Sequence, residues 1–208
     1  MGLVTYLINP NYGSFTLRLF IFLLLAGVLI FVITIHEFAH ALAATLLGDP
    51  TAKANDRLTL DPRAHLDRLG TLLLLLVGFG WGRPVPFNPD YFANPRRDSA
   101  IVSLAGPLSN FLFACIFGFF YQFFPYGVVK EVLGALVTLN LVLCFFNLIP
   151  VNPLDGFKVV WGFLPENLAH QWLDLAPYGI YILLILIFSN VTDKFISIPV
   201  NFFINILL

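Results

Sequence analysis

Long apolar runs separated by short polar connections dominate the chain. Three runs are long enough to cross a bilayer as helices, because about 20 apolar residues span its hydrocarbon core. They cover residues 17–47, Ile101–Phe124 and Val128–Ile149. Each is followed by a glycine or a proline, residues that end helices. A fourth apolar block, Tyr178–Ser189 and Phe195–Leu208, is interrupted by Asn190–Lys194, which predicts either one long broken helix or a helical hairpin.

A shorter apolar piece lies between the first two of these runs. Leu69–Trp81 is too short for an ordinary span, and Gly78, Gly80 and Gly82 mark its end, so we expect a re-entrant segment. Arg83–Pro89 then alternates prolines with other residues, which excludes a helix and favours extended backbone. Its unpaired backbone groups form either an edge for pairing with an extended peptide or an ordinary surface turn.

The composition places the chain in a lipid bilayer. Hydrophobic residues make up 59 % of it and charged residues 11 %, whereas soluble globular proteins carry about 25 % charge. We therefore expect an all-α polytopic membrane protein, a bundle of about four to six transmembrane helices in a single domain over residues 1–208. The net charge of −1 provides no basic surface for nucleic acid. Residues 1–16 lack the features of a signal peptide, so we expect the first span to stay attached.

The distribution of positive charge predicts an orientation. Seven of the eleven Lys and Arg residues lie between the first and second full spans, which places that connection in the cytoplasm. His36 and His40 then fall in the inner half of the first helix. If residues 69–82 are re-entrant, the third span also returns to the cytoplasmic side and carries Asn147 and Asp155 there. We expect a multi-pass protein of the cell membrane with its polar residues toward the cytoplasm.

Three ionisable residues stand inside the first apolar run, in the sequence His36-Glu37-Phe38-Ala39-His40. Each costs about 2.5–3.5 kcal/mol at bilayer depth, so their presence needs a cause. Residues four apart share one face of a helix, so His36 and His40 can bind one metal ion, with Glu37 beside the ion rather than on it. The alternative is that these side chains reach a helix end or line a polar seam of the bundle.

A catalytic zinc ion usually has three protein ligands, so a third must come from elsewhere in the chain. Asp155 is the best-placed carboxylate, although Asp-Gly is also an ordinary turn sequence. Other carboxylates lie at the opposite end of the third span or in later connections: Glu131, Glu166, Asp174 and Asp193. We expect His65 and His170 to be solvated loop residues.

Two further motifs complete a resemblance. Asn147-Leu148-Ile149-Pro150 and Leu154-Asp155-Gly156 follow the third span, and together with the His-Glu motif they resemble the site-2 protease family of intramembrane zinc metalloproteases. The segments 105–110 and 81–89 are also similar, so the resemblance covers most of residues 30–160. It is a resemblance to a minimal member, without the PDZ or CBS-type domains of larger ones.

The resemblance implies one Zn²⁺ per chain with His36, His40 and Asp155 as its ligands. It implies Glu37 as the general base and Asn147 as a group near the substrate carbonyl, although an asparagine there is equally expected as a helix cap or a helix–helix hydrogen bond. The implied activity is hydrolysis of peptide bonds in or near transmembrane segments of membrane-anchored proteins.

Two other functions fit parts of the pattern. A membrane metal transporter or channel would use the same histidines and aspartate as a transit site. Such a protein needs Glu37 only as a charge or a ligand, whereas hydrolysis needs a carboxylate that accepts a proton. A catalytically silent scaffold is the third possibility, but it gains nothing from ionisable residues that disfavour insertion.

Overall fold

The structure is a computed structural model, and it describes residues 3–77 and 80–208. Gly78, one of the glycines of the predicted re-entrant segment, lies outside the described residues. The helices are α1 (Val4–Ile8), α2 (Phe15–Leu46), α3 (Thr51–Ala54), α4 (Pro62–His65), α5 (Arg68–Val77), α6 (Pro95–Tyr121), α7 (Val128–Asn147), α8 (Asp155–Phe163), α9 (Glu166–Leu173), α10 (Gly179–Phe188) and α11 (Val191–Leu207). The described residues contain no β-strand, and an isolated antiparallel bridge joins Leu66 to Gly82.

Four stretches are long and apolar enough to cross a membrane. They are α2 with 32 residues, α6 with 27, α7 with 20, and the 23-residue stretch Glu166–Phe188, which contains α9 and α10. Helix α5 has 10 residues and is shorter than a span. The predicted all-α fold of a multi-pass membrane protein is confirmed, and the re-entrant course of the segment between the first two spans stays a prediction.

Helix α6 lies at the centre of the bundle, where it packs against α2, α7 and α8. Small residues allow these close approaches: a Cβ atom added at Gly162 of α8 would lie 2.3 Å from Ala100 Cβ of α6. A Cβ added at Gly106 of α6 would lie 2.4 Å from the Nε2 atom of His40 on α2. Helix α6 therefore holds α2 and α8 in fixed positions relative to each other.

Several helix boundaries differ from those expected. Helix α6 begins at Pro95, six residues before the apolar run, because its first turn is polar, and it contains Pro107 in its interior. Helix α7 ends at Asn147 instead of Ile149. The last apolar block forms two helices, separated at Asn190, whose φ of 57° is left-handed.

The polar connection after α2 is more ordered than a surface loop. It contains α3 and α4, and the side chains of Asp49, Arg57 and His65 are buried. The prediction of a solvated His65 was wrong, because its ring Nε2–H donates to the Thr59 carbonyl at 2.7 Å inside this segment. His170 is exposed, but it lies on α9 rather than in the expected loop.

Candidate metal site and active-site cavity

His36 and His40 lie one helical turn apart on α2 and point toward α6. Both are buried, and their Nε2 atoms are 3.0 Å apart. Asp155, the first residue of α8, brings its Oδ2 atom to 3.1 Å from the Nε2 atom of His36 and to 3.3 Å from that of His40. The structure thus brings together the three residues that the sequence nominated as metal ligands, with their ligand atoms within 4.8 Å of one another.

Close backbone packing sets the position of Asp155. A Cβ atom added at the next residue, Gly156, would lie 2.3 Å from the carbonyl oxygen of Leu148, at the end of α7. Only a glycine lets the first turn of α8 fit against this end of α7. On the far side of α8, the Trp172 indole N–H donates to the Phe157 carbonyl at 2.9 Å and the two rings stack.

Hydrogen bonds on the outer side of each imidazole decide where its proton lies. The Nδ1 atom of His40 is 2.7 Å from the carbonyl oxygen of Val102, which only accepts, so Nδ1 carries the proton. The Nδ1 atom of His36 is 2.6 Å from the Asn110 Oδ1 atom, also an acceptor. Both Nε2 atoms therefore present lone pairs to the centre of the site, as in metal-binding histidines.

A cation fits this arrangement. Two Nε2 lone pairs and a carboxylate oxygen converge without a donor between them, and Asp155 Oδ2 is a buried atom that receives no hydrogen bond from any described residue. Lone pairs at such distances repel one another unless a positive ion lies between them. Two histidines and one carboxylate form a donor set of catalytic zinc sites, which leave a further position open.

Buried amides support the metal site, and the sequence analysis did not nominate them. The Nδ2 atom of Asn110 on α6 donates to the Oδ1 atom of Asn140 on α7 at 3.0 Å, which turns the Asn110 Oδ1 atom toward His36. Asn140 in turn donates to the carbonyl of Leu136 at 2.8 Å. The available signal was an amide in the middle of the second and of the third apolar run, because polar groups at that depth are costly unless hydrogen-bonded.

A cavity of about 600 Å³ opens beside the three candidate ligands. Glu37 is half-buried and lines it, next to Gly82, where an added Cβ would lie 3.5 Å from the Glu37 Oε1 atom. Asn147 lines the cavity from the end of α7, and its Nδ2 atom donates to the carbonyl of Leu143 at 2.9 Å. All five residues that the sequence predicts for the metal site and for catalysis therefore line this one cavity.

The non-helical residues 82–88 form one wall of this cavity and are called here the proline segment. Buried polar groups hold it at both ends. The Arg83 N–H donates to the His65 carbonyl at 2.8 Å, and the Asn88 N–H donates to Asp49 Oδ2 at 2.7 Å. The Arg57 guanidinium donates to the carbonyls of Arg83 and Pro84. Burial lowers the pKa of Arg57, and the negative charge of Glu37 opposes that shift.

Between these anchors, two residues have backbone groups that make no hydrogen bond to the described part of the chain. The N–H and C=O groups of Val85 and Phe87 have no hydrogen-bond partner among residues 3–77 and 80–208. The Val85 side chain packs into a cluster with Ala41 and Ala52, so the residue is fixed while its backbone groups stay available. The sequence left two interpretations of this segment, a pairing edge and a surface turn, and the observed anchoring favours the first.

Comparison with known proteins identifies relatives of this chain. It is 42 % identical over 164 residues to a Bacillus subtilis (strain 168) protein named "Putative zinc metalloprotease YwhC", an alignment that covers 74 % of each chain. It is 29 % identical over 179 residues to "Putative zinc metalloprotease MJ0611" of Methanocaldococcus jannaschii, with 83 % of this chain and 86 % of that protein covered.

A further relative is "Putative zinc metalloprotease Rip2" of Mycobacterium tuberculosis (strain H37Rv), 29 % identical over 177 residues, which cover 77 % of this chain and 68 % of that one. Neither a protein-family model nor a solved structure matches the chain. All three relatives are named as putative zinc metalloproteases. From the extent of this similarity and the geometry of the site, the chain belongs to the site-2 protease family of zinc metalloproteases.

Proposed function

We propose that this protein is an intramembrane zinc metalloprotease that hydrolyses peptide bonds in or near transmembrane segments of membrane-anchored proteins. The observation that carries the proposal is the meeting of two imidazole lone pairs and a carboxylate oxygen beside Glu37, in a cavity enclosed by apolar helices. A cavity between apolar helices suits a substrate within the bilayer, whereas a soluble peptidase does not require one. The whole chain, residues 1–208, acts as one catalytic domain.

His36, His40 and Asp155 hold one zinc ion per chain in this proposal. When bound, zinc supplies Lewis acidity toward water and toward the scissile carbonyl. The support is the donor set and the hydrogen bonds that fix both imidazoles with Nε2 unprotonated. Asn110 and the Val102 carbonyl act as the outer partners that orient these ligands.

Glu37 is the general base. Its half-buried carboxylate lines the cavity next to the candidate ligands, where it accepts a proton from the attacking water and returns it to the leaving amine. Such proton transfer contributes about 10²–10⁴-fold in rate. Asn147 donates to the carbonyl oxygen as negative charge develops there. One N–H of its amide is taken by the Leu143 carbonyl, and the other is available for this bond.

The proline segment holds the substrate. A transmembrane helix has its amides locked in internal hydrogen bonds, so cleavage requires local unwinding into an extended form. The free N–H and C=O groups of Val85 and Phe87 pair with that unwound peptide as an added strand. Gly82 brings the segment close to Glu37, so the peptide passes beside the catalytic carboxylate.

The active site faces the cytoplasm in this proposal. Support comes from the seven Lys and Arg residues between the first two spans, since positive charge favours the cytoplasmic side. Two of them, Arg57 and Arg83, belong to the same assembly as the proline segment. In this proposal the protein lies in the bilayer, and its substrates are proteins anchored in the same membrane.

The proposal is tested by metal content and cleavage in three proteins. We expect about one zinc per chain by elemental analysis in the detergent-purified wild type and in Glu37→Gln, and little in Asp155→Ala. A membrane-anchored reporter should be cleaved by the wild type alone. Zinc that survives Asp155→Ala would show that the third ligand is another residue. Undiminished turnover in Glu37→Gln would remove the general-base assignment, and metal flux without cleavage would favour the transporter.

A further inference from the structure

Lys158 is a charged residue of the cavity that the catalytic scheme above does not use. It lies on α8, one helical turn after Asp155, and lines the same cavity as Glu37. Its Nζ atom lies over the ring of Phe87, 4.5 Å from the ring centroid. The ammonium thus stands between the helix that supplies a candidate metal ligand and the segment that we propose for substrate binding.

The Lys158 ammonium makes no ion pair with any described residue, and the negative charges of Asp155 and Glu37 act on it only from beyond ion-pair distance. No carboxylate of residues 3–77 or 80–208 lies within 4.0 Å of it, and it makes no hydrogen bond to them. Lys158 is also the only lysine or arginine among the described residues that line the cavity. A ring face attracts a cation but accepts none of its three N–H donors in full, so the ammonium retains capacity for an anion.

The position of Lys158 relates it to the path of the substrate. Phe87, the residue under its ammonium, has the free backbone N–H and C=O groups described above. A peptide paired with the proline segment therefore carries its side chains past the Lys158 Nζ atom. The anion that peptides themselves supply is a carboxylate, either on an aspartate or glutamate side chain or at a free C-terminus.

We propose that Lys158 forms a subsite for a substrate carboxylate next to the scissile bond. The inference rests on the proposed function, because it assigns a specificity-determining residue to that reaction. An acidic group near the cleavage site gains a charge-assisted hydrogen bond in the cavity, whereas a lysine or arginine there meets a like charge.

Binding, measured without turnover, tests the subsite. Fluorescently labelled octapeptides with apolar residues and a single central Glu, Gln or Lys are titrated against zinc-loaded Glu37→Gln protein by fluorescence anisotropy. These three carry an amidated C-terminus. A fourth peptide has the Gln sequence with a free C-terminal carboxylate. We expect the Glu peptide or the free-acid peptide to bind about tenfold more tightly than the amidated Gln peptide.

Variants of Lys158 test whether this residue causes the preference for a peptide carboxylate. It should vanish when Lys158→Met is added, survive with Lys158→Arg, and reverse toward the Lys peptide with Lys158→Glu. Lys130→Met is the matched control, because Lys130 also packs its ammonium on an aromatic ring, Tyr121, but away from the cavity. Zinc content of each variant, by elemental analysis, verifies that the site remains folded.

The binding results distinguish a subsite for side-chain carboxylates, a subsite for chain ends and the absence of a subsite. Preference for the Glu peptide assigns side-chain carboxylates as the ligand, and preference for the free acid alone assigns chain ends. Equal binding of all four peptides, including no binding, overturns the subsite, as does a preference that survives Lys158→Met. Failure of the wild type to cleave a reporter would instead contradict the proposed function, and the binding ratios do not depend on it.

Discussion

The candidate metal site and the proline segment face the same cavity but are built in opposite ways. The functional groups of the candidate metal site are side chains: two imidazoles from α2 and a carboxylate from α8. Side-chain amides of α6 and α7 orient the His36 imidazole. In the proline segment, backbone groups are presented, and side chains of the preceding polar connection anchor the segment. Each region therefore has its own supporting residues, and damage to one support should leave the other region intact.

This separation has a physical basis in where each support lies. The amides of Asn110 and Asn140 are fully buried within the helix bundle, where an unpaired polar group is costly. The anchors of the proline segment lie in the connection that contains α3 and α4, close to one end of α2. Metal affinity and substrate affinity should thus respond to different substitutions, and the following predictions test that division in order of expected effect.

The largest effect is expected for Gly106→Ala. The added Cβ would lie 2.4 Å from the His40 Nε2 atom, so either the imidazoles or the whole of α6 must move. We expect zinc affinity to fall by about 100-fold or more, the upper range for disturbed ligand orientation, and cleavage to fall with it. Zinc titration measures the change. Gly27→Ala on α2 is the matched control, since a Cβ there meets nothing within 4 Å and should leave affinity unchanged.

An intermediate effect is expected for Asn110→Leu. The His36 Nδ1–H would lose its acceptor, and zinc affinity should fall by about 10–100-fold. Asn140→Leu should cost less, because Asn140 acts on His36 only through Asn110. Competition with a zinc chelator gives both values. An equal or larger loss in Asn140→Leu would contradict the proposed order of the network.

The smallest effect is expected for Arg57→Met, and it should appear in cleavage alone. The substitution removes the donors to the carbonyls of Arg83 and Pro84 and so loosens the proline segment. We expect reporter cleavage to fall about tenfold, with one zinc still bound per chain. Arg63→Met is the control, because Arg63 is exposed and, among the residues that the structure describes, its side chain pairs with Asp61 alone. Loss of zinc in Arg57→Met would show that the two regions share their support.

Much of this architecture follows from the sequence alone, for identifiable reasons. The long spans follow from the length of the apolar runs, and His36 and His40 follow from their spacing on a helix, since both are local properties. Asp155 was harder to assign, because it is far from the histidines in sequence. Only the tertiary structure brings its Oδ2 atom within 3.3 Å of both Nε2 atoms. Asp-Gly is also an ordinary turn sequence, but in the structure Gly156 permits close contact of α8 with the Leu148 carbonyl.

The supporting residues could not be found in this way. Asp49, Arg57 and His65 belong to a stretch rich in charged residues, a composition typical of solvent-exposed loops, yet all three are buried. Their partners include the proline segment, which lies 26 residues beyond Arg57 in the chain at Arg83. Hydrophobic periodicity reports which face of an element is apolar, but not which distant backbone carbonyl a charged group contacts.

Under the proposed strand pairing, the prolines of the proline segment also limit where a substrate is cut. Pro84 and Pro86 have no N–H group and the Asn88 N–H is bonded to Asp49, so pairing is confined to the edge that bears Val85 and Phe87. Because hydrogen-bonding groups recur on one edge of a strand every second residue, a slipped peptide advances by two residues, about 6.6 Å. Imperfect cleavage should therefore leave a ladder of fragments whose lengths differ by two residues, not by one.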